Sequence, residues 1–265
     1  MHIHLVDQYQ VGRSLVHQMD PRAKFVTAVV LILLLNLTPA GAWPAYPLLF
    51  ALVISLALAA EISLWFVLRR SAVALPFALA AVTLLFSVPG RPILQLPLLN
   101  WTISAAGLDR FISIVLKSWL SVQIAIVLAA STRFSDMLWA LNALYLPKLL
   151  IAIISFMYRY IFVLADEAFR MQRARQARSA APAGASRVGG KVIWRARVTG
   201  WMVGQLFLRS YERSERVYQA MAARGYRGEI RRLDPPPLTG RDLLLGAVPT
   251  LSAGLVQLAA FLWWR

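Results

Sequence analysis

Two short stretches of this chain place an arginine between small residues, Ala177-Arg178-Ser179 and Ala223-Arg224-Gly225. Each closes a charged run, "DEAFRMQRARQARS" in the first case and "RSYERSERVYQAMAARGYRG" in the second. A guanidinium is a rigid fork of N–H donors that takes a carboxylate through two parallel hydrogen bonds. Neighbours of minimal bulk let a second backbone come close, so such a tip can enter a groove. At a helix C-terminus the same cation complements the macrodipole, and Gly225 or Ser179 helps to stop the helix. Capping alone therefore explains either tip by itself. Two similar tips in one chain point to docking.

Other candidates for chemistry are weaker. His2 and His4 alternate in "MHIH" and, with Asp7 or the α-amino group, could hold a transition metal. The chain has three histidines, none at the spacing of a zinc protease, and this end reads as a polar tail, so no metal ligand is assigned. There is no cysteine, which excludes thiolate zinc sites, disulfides and a thiol nucleophile. The run "GASRVGGK" looks phosphate-binding, but a P-loop needs glycine where Ala185 stands and a hydroxyl where Val192 stands. No Ser/His/Asp set or paired carboxylates can be placed on one face, so no catalytic residue and no bound cofactor are expected.

These tips must be held by something apolar. Of 265 residues 59% are hydrophobic and only 15% charged, against about 25% charged in soluble domains, and mean hydropathy is +0.61. An all-α membrane protein follows. The N-terminal "MHIHLVDQYQ" lacks the layered pattern of a cleavable signal peptide, so the first apolar run is expected to serve as its own insertion signal. Runs of the roughly 20 residues that a span requires lie near 24–42, 44–60, 71–88, 108–130 and 242–264, with a sixth at 147–165. Asp20 and Pro21 announce the first helix as N-cap and first helical residue. Glu61, Asp109 and Lys117 sit near span ends, where snorkelling or a loop accommodates them.

The net charge of +16 must gather in water-facing parts. Residues 166–240 hold fifteen basic and six acidic side chains, which places them in the cytoplasm by the positive-inside rule. Arg69-Arg70, between the second and third runs, is expected on the same side. Two cytoplasmic segments are separated by an even number of crossings, so one of the three runs between them does not cross. The run 147–165 contains Arg159 and flows unbroken into charged sequence; it is set aside. About five crossings remain, with the N-terminus cytoplasmic.

The expected organisation is then a tail with four spans (1–130), a cytoplasmic domain (131–240) and a last span (241–265). Within the middle part, "TRFSDMLWALNALYLP" forms a short helix broken at Pro147, and two long amphipathic helices cover 147–179 and 191–224. The second carries a stripe of Val203, Phe207, Tyr211, Val217, Tyr218 and Met221. A lipid-modifying enzyme would need clustered carboxylates or histidines that cannot be assembled here. Nucleic acid is a poor partner, because the arginines sit at helix ends without interleaved stacking aromatics.

These residues resemble the T component of energy-coupling factor (ECF) transporters, ABC-type importers of vitamins and metal ions. "MDPRAKF" is similar to the family's Asp-Pro-Arg-x-Lys opening. "LYLPKLLIAIISFMYRYIFVLADEAFRMQRARQARS" is similar to its Leu-Pro helix, acidic pair and first Ala-Arg motif, with Ser179 where many relatives carry glycine. "RSYERSERVYQAMAARGYRG" is similar to the second motif helix, and length and C-terminal span resemble the cobalt-type, CbiQ-like branch. The resemblance implies a non-catalytic subunit of the bacterial inner membrane. It implies two ABC ATPase subunits as partners, which bind the ATP and magnesium, and a separate substrate-binding membrane (S) subunit, with a small accessory membrane subunit as a further partner. Ala177, Arg178, Ser179, Ala223, Arg224 and Gly225 would form the ATPase-docking motifs. Cobalt or nickel is the implied substrate, with a vitamin such as biotin as the alternative.

Overall fold

A computed structural model of the chain describes residues 9–89, 91–96, 101–178, 192–228 and 237–263. His2 and His4, Ser179 and the phosphate-like run 184–191 lie outside the described residues. Apart from one short antiparallel hairpin, β1 (Pro92–Leu96) with β2 (Trp101–Ser104), the described chain is helical, as an all-α membrane protein should be. It divides into two compact units, residues 9–144 with 237–263 and residues 145–178 with 192–228.

The first unit is a helical bundle. After a single turn, α1 (Leu15–Gln18), comes α2 (Pro21–Asn36), capped as its sequence predicts: the Asp20 carboxylate accepts from Arg22 N–H at 2.7 Å, with Pro21 in the first turn. Next are α3 (Ala45–Ala59) and a broken helical segment of α4 (Leu64–Arg70), a 3-10 turn (Ser71–Ala74), α5 (Leu75–Ala81) and α6 (Leu84–Ser87). The long α7 (Ala105–Ser131), the short α8 (Phe134–Ala143) and the last helix α11 (Gly240–Trp263) complete it. Ala28, Leu31 and Leu35 of α2, Tyr46, Leu49 and Val53 of α3, and Leu120 and Ile124 of α7 meet in one buried cluster with Ala253 of α11. Their spacing of three and four is one helix face each.

Several expected boundaries move. Arg69 and Arg70 are not in a loop; they end α4, and the chain continues helically to Ser87. The break falls where Pro76 cannot donate to the carbonyl four residues back and its ring crowds that turn, so 71–74 tighten into a 3-10 turn. The connection after α3 is instead 60–63, where Glu61 takes φ +54°. Four described helical segments are long and apolar enough to cross a membrane: Leu64–Ser87, Ala105–Ser131, Lys148–Arg178 and Gly240–Trp263. The third contains the run set aside on charge. Helices α2 and α3 have 16 and 15 residues, or about 23 Å each. Helix α8, counted above with the cytoplasmic part, sits in the bundle unit, where Arg22 lies over the Trp139 ring at 4.1 Å.

Buried polar groups tie the bundle's ends. Asp242 accepts from the Asp20 N–H at 3.1 Å and from the N–H and hydroxyl of Thr239 at 3.0 and 2.5 Å. One carboxylate thus reaches back to the N-cap N–H of α11, as in half of a capping box, and anchors the start of α2. At the far end of α2, the Lys117 ammonium donates to the carbonyls of Asn36 and Thr38. A cation at exposed C-terminal carbonyls is favourable, which gives this intramembrane lysine a structural role.

Candidate functional site: two arginine tips on a helical hairpin

The second unit holds α9 (Lys148–Arg178) and α10 (Val192–Ala223). They run antiparallel: Phe156 of α9 meets Tyr226 beyond α10 edge to face at 6.4 Å, Glu167 binds Arg209 at 2.6 Å, and Arg175 donates to the Thr199 hydroxyl at 2.9 Å. Glu167 also lies 3.5 Å from Arg170, so one half-buried carboxylate is shared by two guanidinium groups. Val198, Met202, Leu206, Val217 and Met221 form the partly buried face of α10. Helices of 31 and 32 residues are each roughly 45–50 Å long.

The tips end up exposed at opposite ends of this hairpin. Ala177 and Arg178 close α9, while Ala223 is the last residue of α10 and Arg224 its C-cap. Since Arg224 follows closely on the level of Phe156, about twenty residues of α9 separate it from Arg178, roughly 30 Å along the axis. The stop after Arg224 has a specific geometry. Gly225 has φ +79°, its N–H donates to Ala222 O at 2.9 Å, and Tyr226 N–H donates to Met221 O at 3.0 Å. That pair of bonds is a Schellman closure, which calls for a left-handed residue and hence glycine. Tyr226 then packs on Phe156, so the closure is pinned to the neighbouring helix. A Cβ built on Gly225 would meet nothing within 4 Å.

Val217 and Met221 of the expected α10 stripe are partly buried. Val203, Phe207, Tyr211 and Tyr218, the rest of it, are 60–68% exposed. With Gly200 and Gly204, at which a Cβ would meet open space, they form a second, outward apolar face. Trp194 and Trp201, unremarked in the sequence reading, are 47% and 72% exposed and line a cleft of about 610 Å³ with Arg170, Arg175, Arg178 and Arg209.

The family model of the cobalt transport protein CbiQ matches residues 12–235, from the start of the bundle through both tips. The chain belongs to the CbiQ family. It is 28% identical over 274 aligned positions to the energy-coupling factor transporter transmembrane protein EcfT of Brevibacillus brevis, covering 98% of this chain and 97% of that one. To the cobalt transport protein CbiQ of Rhodobacter capsulatus it is 32% identical over 135 residues, 51% of this chain and 52% of the relative. To the nickel permease LarQ of Lactiplantibacillus plantarum it is 29% identical over 160 residues, 60% and 54%. The chain thus spans about half the length of these cobalt and nickel relatives. As a CbiQ-family T component it is a multi-pass membrane protein, and both arginine tips fall inside the matched region.

Proposed function

We propose that this CbiQ-family chain is the non-catalytic coupling subunit of an importer of the bacterial inner membrane that takes up cobalt or nickel ions. Its N-terminus and the α9–α10 hairpin face the cytoplasm. Two ABC ATPase subunits bind the ATP and magnesium, and each accepts one tip, Ala177-Arg178-Ser179 or Ala223-Arg224-Gly225. A substrate-binding S subunit lies on the outward apolar face of α10, and a small accessory membrane subunit completes the assembly. Nucleotide-driven closure of the ATPases moves the two tips, and the helices carry that displacement to the S subunit.

The observation that carries this reading is the pair of exposed arginines at opposite ends of one antiparallel hairpin. A pure cap needs no exposed guanidinium at either end, whereas two separate motor subunits need two separated anchors. Replacing Arg178 and Arg224 with glutamate tests it. Each single variant should weaken co-purification of the ATPases and radiolabelled cobalt uptake at least tenfold, and the double variant should abolish both. Unchanged assembly and uptake in the double variant overturn the proposal. Vitamin import is a second reading: the EcfT relative is similar over 98% of this chain and the individual cobalt and nickel relatives over 51% and 60%, while the cobalt family model, matching 12–235, supports the first. Uptake of labelled biotin, measured beside cobalt, separates the two.

A further inference from the structure

The bundle contains a cavity of about 380 Å³ bordered by α1, α2, α3, α7 and α11. Its floor is apolar: Ala28 and Leu31 come from α2, Ile124 and Val127 from α7. Leu52 and Leu56 of α3 form one wall and Leu245 of α11 the other. The two helices are joined toward one end. There Ala42, Ala45 and Ala260 cluster with Val256, and small side chains let the backbones approach. About four turns along α3, the exposed Ser55 and Ala59 stand on one side of the opening and the exposed Val248 on the other.

We infer that this cavity holds one acyl chain of a membrane lipid. The surface around its mouth is a hydrocarbon-facing one: Leu58, Val248 and Leu251 are 59–67% exposed, on segments of a membrane-spanning bundle. Water has little to bind against such walls, and apolar cavities of about 150 Å³ stay dry and take up benzene. A space more than twice that size, open toward the bilayer, is filled by what surrounds it. The lining also selects the occupant. A helix about 10 Å across is rigid and straight, whereas a single flexible chain can follow the uneven lining that five helices contribute. From Lys24 to Leu31 the cavity runs about 10 Å along α2, within the depth of one leaflet.

The polar end does not ask for an anion. Lys24 is buried, and its ammonium donates to the carbonyls of His17 and Ser131 at 3.0 and 3.2 Å. The occupant is therefore recognised by its chain and not by its headgroup. None of this depends on the proposed importer function; it needs only that the bundle stand in a bilayer.

The test uses the full chain in phosphatidylglycerol vesicles containing a phospholipid with a diazirine on its acyl chain. After irradiation, lipid adducts are mapped by mass spectrometry. Leu31, Leu52 and Ile124 should be labelled at levels comparable with the bilayer-facing Leu251. Ala28→Phe fills the cavity, and Ala59→Trp blocks its mouth from an exposed position that tolerates bulk. Both should lower labelling of the floor at least fivefold while Leu251 labels as before, which also reads out an intact fold. Labelling of Leu251 without the floor in the unaltered chain overturns the inference, as does floor labelling that neither variant changes. The same experiment on the assembled transporter decides against a partner segment: floor residues protected there, with Leu251 still labelled, would assign the cavity to another subunit and overturn the lipid.

Discussion

A Cβ on Gly225 would meet no atom of its own protein within 4 Å, yet the residue's φ of +79° strains any L side chain placed there. Those two facts separate capping from docking. Asparagine tolerates the left-handed conformation far better than alanine or valine does. If Gly225 serves only as a cap, Gly225→Asn should keep both the last turn of α10 and ATPase binding, and Gly225→Ala should fray the turn at about 1 kcal/mol. If the tip enters a groove, Gly225→Asn should keep the helix and still lose ATPase binding at least tenfold, because the only steric conflict is with the partner. The second outcome is expected, read by circular dichroism and by pull-down of the ATPase. Retained binding in Gly225→Asn would reduce the motif to a helix stop. Asp242 makes a related point about legibility. The Asp20 cap and Pro21 could be read from neighbours in sequence, but Asp242 reaches Asp20 across 222 residues, and nothing in local pattern announces such a bond.

Among the elements, α11 packs tightly on the start of α2 at Gly246, where a Cβ would lie 2.5 Å from the Thr27 hydroxyl oxygen and 3.3 Å from the Met19 methyl. Gly246→Val should therefore destabilise the bundle by about 1–3 kcal/mol through overpacking. Adding Thr27→Ala should recover most of that loss, so the pair should be strongly non-additive in thermal unfolding. Additive losses would mean that the glycine matters for backbone reasons alone. Helix α10 shows why periodicity stopped short. Its apolar residues lie on two neighbouring faces, and a three-and-four spacing marks both without saying which packs on α9. The stripe of Val203, Phe207 and Tyr211 was legible as amphipathic, but its spacing did not say that it points away from α9, because a face that another chain would cover has the same spacing as a core face. Gly204→Leu tests that reservation. It adds helix propensity of up to about 1 kcal/mol and meets open space in this chain. It should leave stability and ATPase binding intact while lowering uptake at least fivefold through the S-subunit contact; unchanged uptake would remove α10's outer face from the coupling route.

At the scale of the whole molecule, orientation decides whether the tips can meet nucleotide-driven motors at all. Asp20, Ser131 and Asp242 mark one end of the bundle, joined by the hydrogen bonds of Asp242 to Asp20 and of Lys24 to Ser131. Near that end the sequence carries Arg13, Arg22, Lys24, Arg133 and Arg241, while Arg91, Arg110 and Lys117 belong to the other. The bias agrees in sign with the charge of 166–240, so the positive-inside rule predicts a cytoplasmic side for this end of the bundle and, separately, for 166–240. That expectation still stands although α2 and α3 are shorter than the expected spans and Arg69-Arg70 moved into a helix, because charge placement survives errors in helix boundaries. The chain has no cysteine, so single substitutions report sidedness without a background. Cysteine at Ala40, in the turn after α2, should react with an impermeant maleimide applied outside intact cells. Cysteine at Ser63 after α3, or at the exposed Ser214 of α10, should react only in inverted vesicles. Labelling of Ser214→Cys from outside would put both arginine tips on the side without ATP, and no arrangement of partner subunits could then drive them.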